Sequence, residues 1–137
     1  MENRSKLPVH VVAAVVVNVK NEVLIAKRPL ASHQGGLWEF PGGKLEEQEL
    51  PEAGLVRELR EELGIIVTDS EPFIEIQHDY PDKSVFLDVW RVNAFSGVAY
   101  GRENQKIRWV PKSELNRYQF PEANLAILTK LLNIQRD

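Results

Sequence analysis

The sequence predicts an α/β fold, a mixed β-sheet with helices on both faces. Three observations carry that expectation. Val9 to Val19 is rich in β-branched residues, which reads as a strand buried on both faces at the centre of a sheet. Pro51 to Leu63 and Pro121 to Ile134 carry apolar residues at helical spacing. The extended segments between them follow no regular β-α-β alternation, which points to a mixed sheet rather than a wholly parallel one.

The elements follow in order. Lys20-Asn21 is the expected turn of a hairpin, with Glu22 to Arg28 as the returning strand. Pro29 to Gly36 reads as a loop, and Trp38-Glu39-Phe40 as a short apolar segment running into a Pro41-Gly42-Gly43 turn. The helix from Pro51 to Leu63 has proline where a missing N–H does no harm, and Gly64 just past its end. Val56, Leu59 and Leu63 form its apolar stripe. Gly54 inside it loses up to about 1 kcal/mol against alanine, which close packing against the sheet would explain. Ile65 to Thr68 and Pro72 to Tyr80 are extended, Pro81-Asp82-Lys83 is a turn, and Ser84 to Phe95 is a long strand. Ser96 to Gln105 is a polar loop, Ile107 to Val110 a short strand, and Pro111 to Leu115 one helical turn. The last helix offers Leu125, Leu128, Leu131 and Leu132 for packing.

Length and composition limit the possible functions. At 137 residues, 43% of them hydrophobic, the chain makes one domain spanning residues 1–137 with a substantial core. A formal net charge of −3 argues against a nucleic-acid polymer as partner, though not against a free nucleotide. There is no cysteine, which removes disulfides, thiolate metal sites and a cysteine nucleophile. Val9 to Val19 is shorter than the ~20 residues a bilayer span needs, and MENRSKLP leads into no small-residue cleavage site. A soluble, cytoplasmic protein without membrane partners is expected.

The chemistry concentrates on the helix at 51–63. At about 100° per residue, Glu58, Glu61 and Glu62 occupy one third of its circumference. Like charges at these spacings repel, and Arg57, which can reach Glu61 at i+4, offsets only part of that repulsion. Either the three form a solvated acidic face, or a divalent cation supplies the missing charge, and oxygen-only ligands suit Mg²⁺ or Mn²⁺. The Pro-Gly-Gly turn just ahead favours the cation, because glycines let the backbone approach a ligand closely. Lys27, Arg28 and His33 add positive charge before the turn. His10 and His78 read as strand residues with no assigned role.

Gly43, Glu49 and the run Arg57-Glu58-Leu59-Arg60-Glu61-Glu62-Leu63-Gly64-Ile65 resemble the Nudix box, with all nine fixed positions filled over 23 residues. The resemblance implies a Nudix-type α/β/α sandwich and hydrolysis of a nucleoside diphosphate linked to another group. It also implies Glu58, Glu61 and Glu62 as metal ligands, the Gly42 carbonyl as a further one, and Arg57 and Glu49 as the groups that orient them. The segments Gly36 to Lys44, Tyr80-Pro81-Asp82, Arg102 to Gln105 and Phe120 to Asn124 are similar to the MutT-like branch of that family across nearly the whole chain.

Carried over position by position, Glu103 becomes a loop carboxylate of the metal site and Asn124 the reader of a purine edge. Phe40, Tyr80 and Asp82 then lie beside the base, and Arg28 and His33 near the phosphates. Tyr80 departs from the branch, which has phenylalanine there. A carboxamide offers a donor and an acceptor together, which suits 8-oxoguanine, whose N7 carries hydrogen where guanine accepts. A cytidine-specific relative within the family has aspartate at the position of Asn124. The branch implies water attack on the β-phosphorus of 8-oxo-dGTP in a small monomeric enzyme, with Glu58 and Glu103 both open as proton acceptors. Two other readings stand: a pyrophosphohydrolase for (deoxy)CTP, 5-methyl-dCTP or a broad set of dNTPs, and a module that binds a nucleotide without turnover.

Overall fold

A computed structural model describes residues 8–29 and 35–135 of the chain. Seven strands and two α-helices run in the order β1 (Val9–Val16), β2 (Glu22–Lys27), β3 (Trp38–Glu39), β4 (Gly42–Lys44), α1 (Pro51–Leu63), β5 (Ile66–Asp79), β6 (Ser84–Ser96), β7 (Ile107–Pro111) and α2 (Leu125–Gln135). Short 3-10 turns at Lys112–Arg117 and Glu122–Asn124 precede α2.

The strands form two sheets rather than one. The first has the order β4-β1-β6-β5, with β1 and β6 parallel and the outer pairs antiparallel; the second is β3-β2-β7, antiparallel throughout. The expected hairpin is therefore a corner. After β1 the chain turns at Asn21, which takes a φ of 63°, and Asn18 Oδ1 accepts from the N–H groups of Lys20 and Glu22. The two strands then touch at one bridge, Val17 to Val23. Strand β2 is apolar on both sides and pairs instead with β7 and β3, where Val23 to Ala26 are buried. Val17 to Val19 lie outside β1, and Val19 is fully exposed.

Strand β1 sits at the centre as expected, and its alternation explains the layers. Val12, Ala14 and Val16 face Leu55, Leu59 and Leu63 of α1. Ala13 and Val15 pack in the opposite core with Val85, Leu87, Val89 and, from α2, Ile127, Leu128 and Leu131. Two faces and two helices make an α/β/α sandwich, and each face must be apolar because neither meets water.

Local expectations hold or shift by single residues. Helix α1 starts at Pro51 and ends at Leu63, and Gly64 takes the left-handed conformation (φ 71°) with its N–H on the Arg60 carbonyl. Its buried stripe is Leu55, Leu59 and Leu63, whereas Val56 faces a shallow groove beside β5. Gly54 is tight against the segment leading into the helix rather than the sheet: a Cβ there would lie 2.3 Å from Leu45 Cδ2 and 3.0 Å from Glu49 Oε1. The two extended segments after α1 are one edge strand, β5, whose register slips near Asp69 and at Pro72. An edge position and a bulge tolerate a proline that cannot donate to the ladder. At the C-terminus, Asn124 belongs to a 3-10 turn and the α-helix begins at Leu125, which is half exposed; Ile127 takes the buried place instead.

One glycine is indispensable for the sheet. A Cβ on Gly42 would stand 2.0 Å from the Val12 carbonyl oxygen and 2.7 Å from Ala13 Cα, both backbone atoms of the central strand. Gly42→Ala is expected to destabilise the protein by about 3 kcal/mol or more, read as a lower urea midpoint, because β4 must move off β1. An unchanged midpoint would contradict this packing.

Candidate active site

Strand β4 and helix α1 bring the glycine turn against the glutamates. Glu58 lies so close to Gly43 that a Cβ there would sit 2.4 Å from its carboxyl carbon. The Glu62 carboxylate accepts a hydrogen bond from the Gly42 N–H. Arg57 organises the outer edge: its guanidinium donates to Glu49 at 2.7 and 2.9 Å, to Glu58 and Glu61 at 3.1 Å each, and to the Lys44 carbonyl at 3.2 Å. Those hydrogen bonds, with one from the Glu46 N–H, hold the Glu49 carboxyl down to about 2. Glu49 is thereby ionised at any ordinary pH.

The inner carboxylates move the other way. Burial pushes the Glu62 carboxyl up to about 8, helped by the negative charges of Glu58, Glu39 and Glu103. Burial also raises Glu58, against the pull of Arg57, with Glu61 and Glu103 adding repulsion. Glu103 is exposed on the loop between β6 and β7, near enough to act on both. Glu61 is largely exposed on the rim.

A cavity of about 300 Å³ runs from this cluster across the sheet. Gly42, Gly43 and Glu62 line it together with Arg28, Glu39, Phe40, Tyr80, Ala123 and Asn124. Phe40 is buried and stacked on Phe120 at 5.2 Å between ring centres. Arg28 forms an ion pair with Glu39. Asn124 is 7% exposed, and its N–H bonds the Pro121 carbonyl.

Most of the residues singled out in the sequence therefore share one site. His33 lies outside the described residues. Asp82 is exposed in the turn closed by the Tyr80 N–H on the Lys83 carbonyl, and Lys83, not Asp82, lines the cavity. Glu39, Lys44 and Lys83 are cavity residues that sequence reasoning passed over. A signal existed for Glu39, a lone charge between Trp38 and Phe40 just before the glycine turn; none marks the two lysines. His10 meets Phe86 edge-on with Asp88 at 3.9 Å, and His78 meets Tyr80; neither histidine lines the cavity.

The hydroxyl that sets Tyr80 apart has a defined task. It accepts the Ala123 N–H at 2.9 Å, joining the end of β5 to the 3-10 turn that carries Asn124. Ala123 is buried and opens a helical turn, where an N–H has no partner within its own helix. Tyr80→Phe is expected to lower stability by about 1–2 kcal/mol through that unpaired N–H. Chemical denaturation decides; a loss below 0.5 kcal/mol, on the order of an ordinary surface change, would mean that the bond carries little.

Among the described residues no three acidic or histidine side chains converge on a single point; Glu58 and Glu61 are bonded to Arg57 instead. The donor set nevertheless fits a divalent cation. Its donors are all oxygen, Gly43 leaves open the space that a Cβ would fill against Glu58, and half-buried Glu62 carries more negative neighbours than nearby cations offset.

Fold and site together define a class: a helix-borne carboxylate cluster facing a glycine turn, beside a cleft of nucleotide size. The chain belongs to the NUDIX domain family, whose model matches residues 12–130, and hydrolases of that family generally depend on a divalent metal. Among its relatives is the 8-oxo-dGTP diphosphatase of Proteus vulgaris, 49% identical over 92 residues, which covers 67% of this chain and 80% of that one. The CTP pyrophosphohydrolase of Escherichia coli is 36% identical over 124 residues, covering 90% and 92%. A solved MutT structure, from work on Aliivibrio salmonicida and Vibrio cholerae, superimposes with a TM-score of 0.79 at 41% identity, covering 93% and 98%. No helix among the described residues is long and apolar enough to cross a membrane.

Proposed function

We propose that this protein is a Mg²⁺-dependent nucleoside triphosphate pyrophosphohydrolase that converts 8-oxo-dGTP and water to 8-oxo-dGMP and pyrophosphate. The observation that carries the reading is the single cleft joining Glu62 and the glycine turn to Asn124. A triphosphate at one end then places its base at the other. Glu58, Glu61, Glu62, Glu103 and the Gly42 carbonyl are the groups proposed to hold Mg²⁺, with Mn²⁺ as a substitute. When bound, the metal neutralises phosphate charge and lowers the pKa of a water near the substrate.

The chain's own residues do the rest. Arg57, fixed by Glu49, keeps Glu58 and Glu61 oriented. Arg28, Lys44 and Lys83 supply positive charge along the cleft, and Phe40 and Tyr80 wall the base. Asn124 offers an acceptor to N7–H and a donor to O6 of 8-oxoguanine, a pairing that guanine cannot reciprocate at N7. Water adds to the β-phosphorus as the bond to the oxygen shared with the α-phosphorus breaks. Its proton passes to Glu58 or Glu103, the two carboxylates open to that role.

The same reading makes it a cytoplasmic monomer that removes an oxidised nucleotide before a polymerase uses it. The 36% identity to the CTP pyrophosphohydrolase keeps a cytidine nucleotide as the second reading. Pyrophosphate release with 8-oxo-dGTP, dGTP, dCTP and 5-methyl-dCTP separates the two by kcat/KM. A preference for 8-oxo-dGTP of about a hundredfold is expected, on the order of one buried acceptor left unpaired against guanine N7. A cytidine preference would replace the first reading by the second, and no turnover with retained binding would leave a nucleotide-binding module.

A further inference from the structure

The loop between β6 and β7 is not merely a connection. It folds back over the C-terminal end of α1, where helix carbonyls lack partners within the helix. The N–H groups of Tyr100 and Arg102 donate to the carbonyls of Leu63 and Glu62 at 3.1 and 3.0 Å, and Arg102 Nη1 donates to that of Arg60 at 3.1 Å. Within this clamp the Gln105 side chain makes two bonds in opposite directions. Its Oε1 accepts the Glu103 N–H at 2.9 Å, and its Nε2 donates to the Glu62 carbonyl at 3.3 Å.

One carboxamide thus ties the backbone of Glu103, on a loop, to the backbone of Glu62, on the helix. The turn is built to permit this. Asn104 takes a φ of 65° and its N–H bonds the Gly101 carbonyl at 3.0 Å, while a Cβ on Gly101 would lie 2.0 Å from the Gln105 carbonyl oxygen. Glu103 itself is exposed, and its negative charge acts on the carboxylates of Glu58 and Glu62 on α1. Like charges repel, so a tether on its backbone helps to keep Glu103 beside them.

We propose that Gln105 is a positioning residue that holds Glu103 in the carboxylate cluster by bridging the backbones of Glu103 and Glu62. The proposal rests on the hydrolase reading for its kinetic consequence and on the geometry alone for its structural one. Only a side chain with both a donor and an acceptor at this length spans the two backbones.

The test compares the full-length wild type, Gln105→Ala, Glu103→Gln and the double variant. In metal-free protein, amide exchange at Glu103 is expected to speed up at least tenfold in Gln105→Ala, while amides of the β1–β6 core keep their protection. In the pyrophosphate-release assay, Gln105→Ala is expected to lower kcat about 10- to 100-fold with KM within about twofold. Added to Glu103→Gln it should lower kcat by less than about twofold more, because the carboxylate it positions is already gone. An unchanged Glu103 amide, a wild-type kcat in Gln105→Ala, or effects that multiply in the double variant would each overturn the proposal. A wild type that hydrolyses none of the nucleotides would sink the hydrolase reading instead, and amide exchange would still decide the bridge.

Discussion

Glu62→Gln is expected to lower hydrolysis about a thousandfold while making the metal-free protein more stable at alkaline pH. The loss follows from removing a charged oxygen aimed at the phosphate end of the cleft, where one preorganised electrostatic group is worth about 10²–10³ in rate and a shared ion more. The gain follows from linkage. The Glu62 carboxyl stands at about 8 in the fold against an ordinary 4.5, so the folded state holds its proton more tightly than the unfolded chain does. A group raised in this way contributes stability that is complete below about 4.5 and is lost as pH rises through about 8. The wild type in EDTA should therefore lose on the order of a few kcal/mol between those limits, a slope that glutamine, which does not ionise, removes.

Thermal unfolding in EDTA from pH 5 to 9 checks this. The two proteins should draw apart as pH rises, with Glu62→Gln the more stable at pH 9, and Mg²⁺ should narrow the gap by stabilising the wild type alone. Parallel curves would show that Glu62 is not held in its neutral form. Retained activity in the variant would remove Glu62 from the site.

Asn124→Ala is expected to lower kcat/KM for 8-oxo-dGTP about a hundredfold and that for dGTP far less, so that most of the discrimination disappears. Asn124 is 7% exposed and lines the same cleft as Glu62. Buried polar groups left without a partner lose about 1–3 kcal/mol each, and two such bonds to the oxidised purine edge amount to roughly two factors of ten. The fold should be little affected, since the Asn124 N–H bonds the Pro121 carbonyl whatever the side chain. Steady-state kinetics on both nucleotides decides. An unchanged ratio would place recognition of the base elsewhere in the cleft, and a gain on dCTP would favour the cytidine reading.

How legible the site is in the sequence depends on how far apart its parts lie in the chain. The carboxylates of α1 and the Pro-Gly-Gly turn are near neighbours in sequence, and a 3.6-residue period with a proline start and a glycine stop locates them to the residue. Asn124 and Glu103 came into view only through resemblance to a family, because nothing local distinguishes a buried asparagine from a helix cap, or a loop glutamate from a solvated one. Lys44 and Lys83 were passed over for the same reason, as surface-type residues whose place on the cavity is set by β4 and by the turn after β5. Val56 was mistaken for Leu55 because neighbouring residues on a helix stand only about 100° apart. The sheet they pack against decides which one turns inward.

Local chemistry was enough for the limits of α1, the double burial of β1 and the acidic face with its arginine, since capping, periodicity and like-charge spacing all act within one or two turns of chain. Pairing between distant segments decided the rest. That β1 and β2 part into two sheets depends on β2 finding β7, over 80 residues later, a better partner than its neighbour. The Tyr80 hydroxyl meets the Ala123 N–H across 43 residues, and the Gln105 amide meets the Glu62 carbonyl across another 43. Hydrogen bonds of this kind have strict distances and no sequence period, so only the folded chain brings donor and acceptor together.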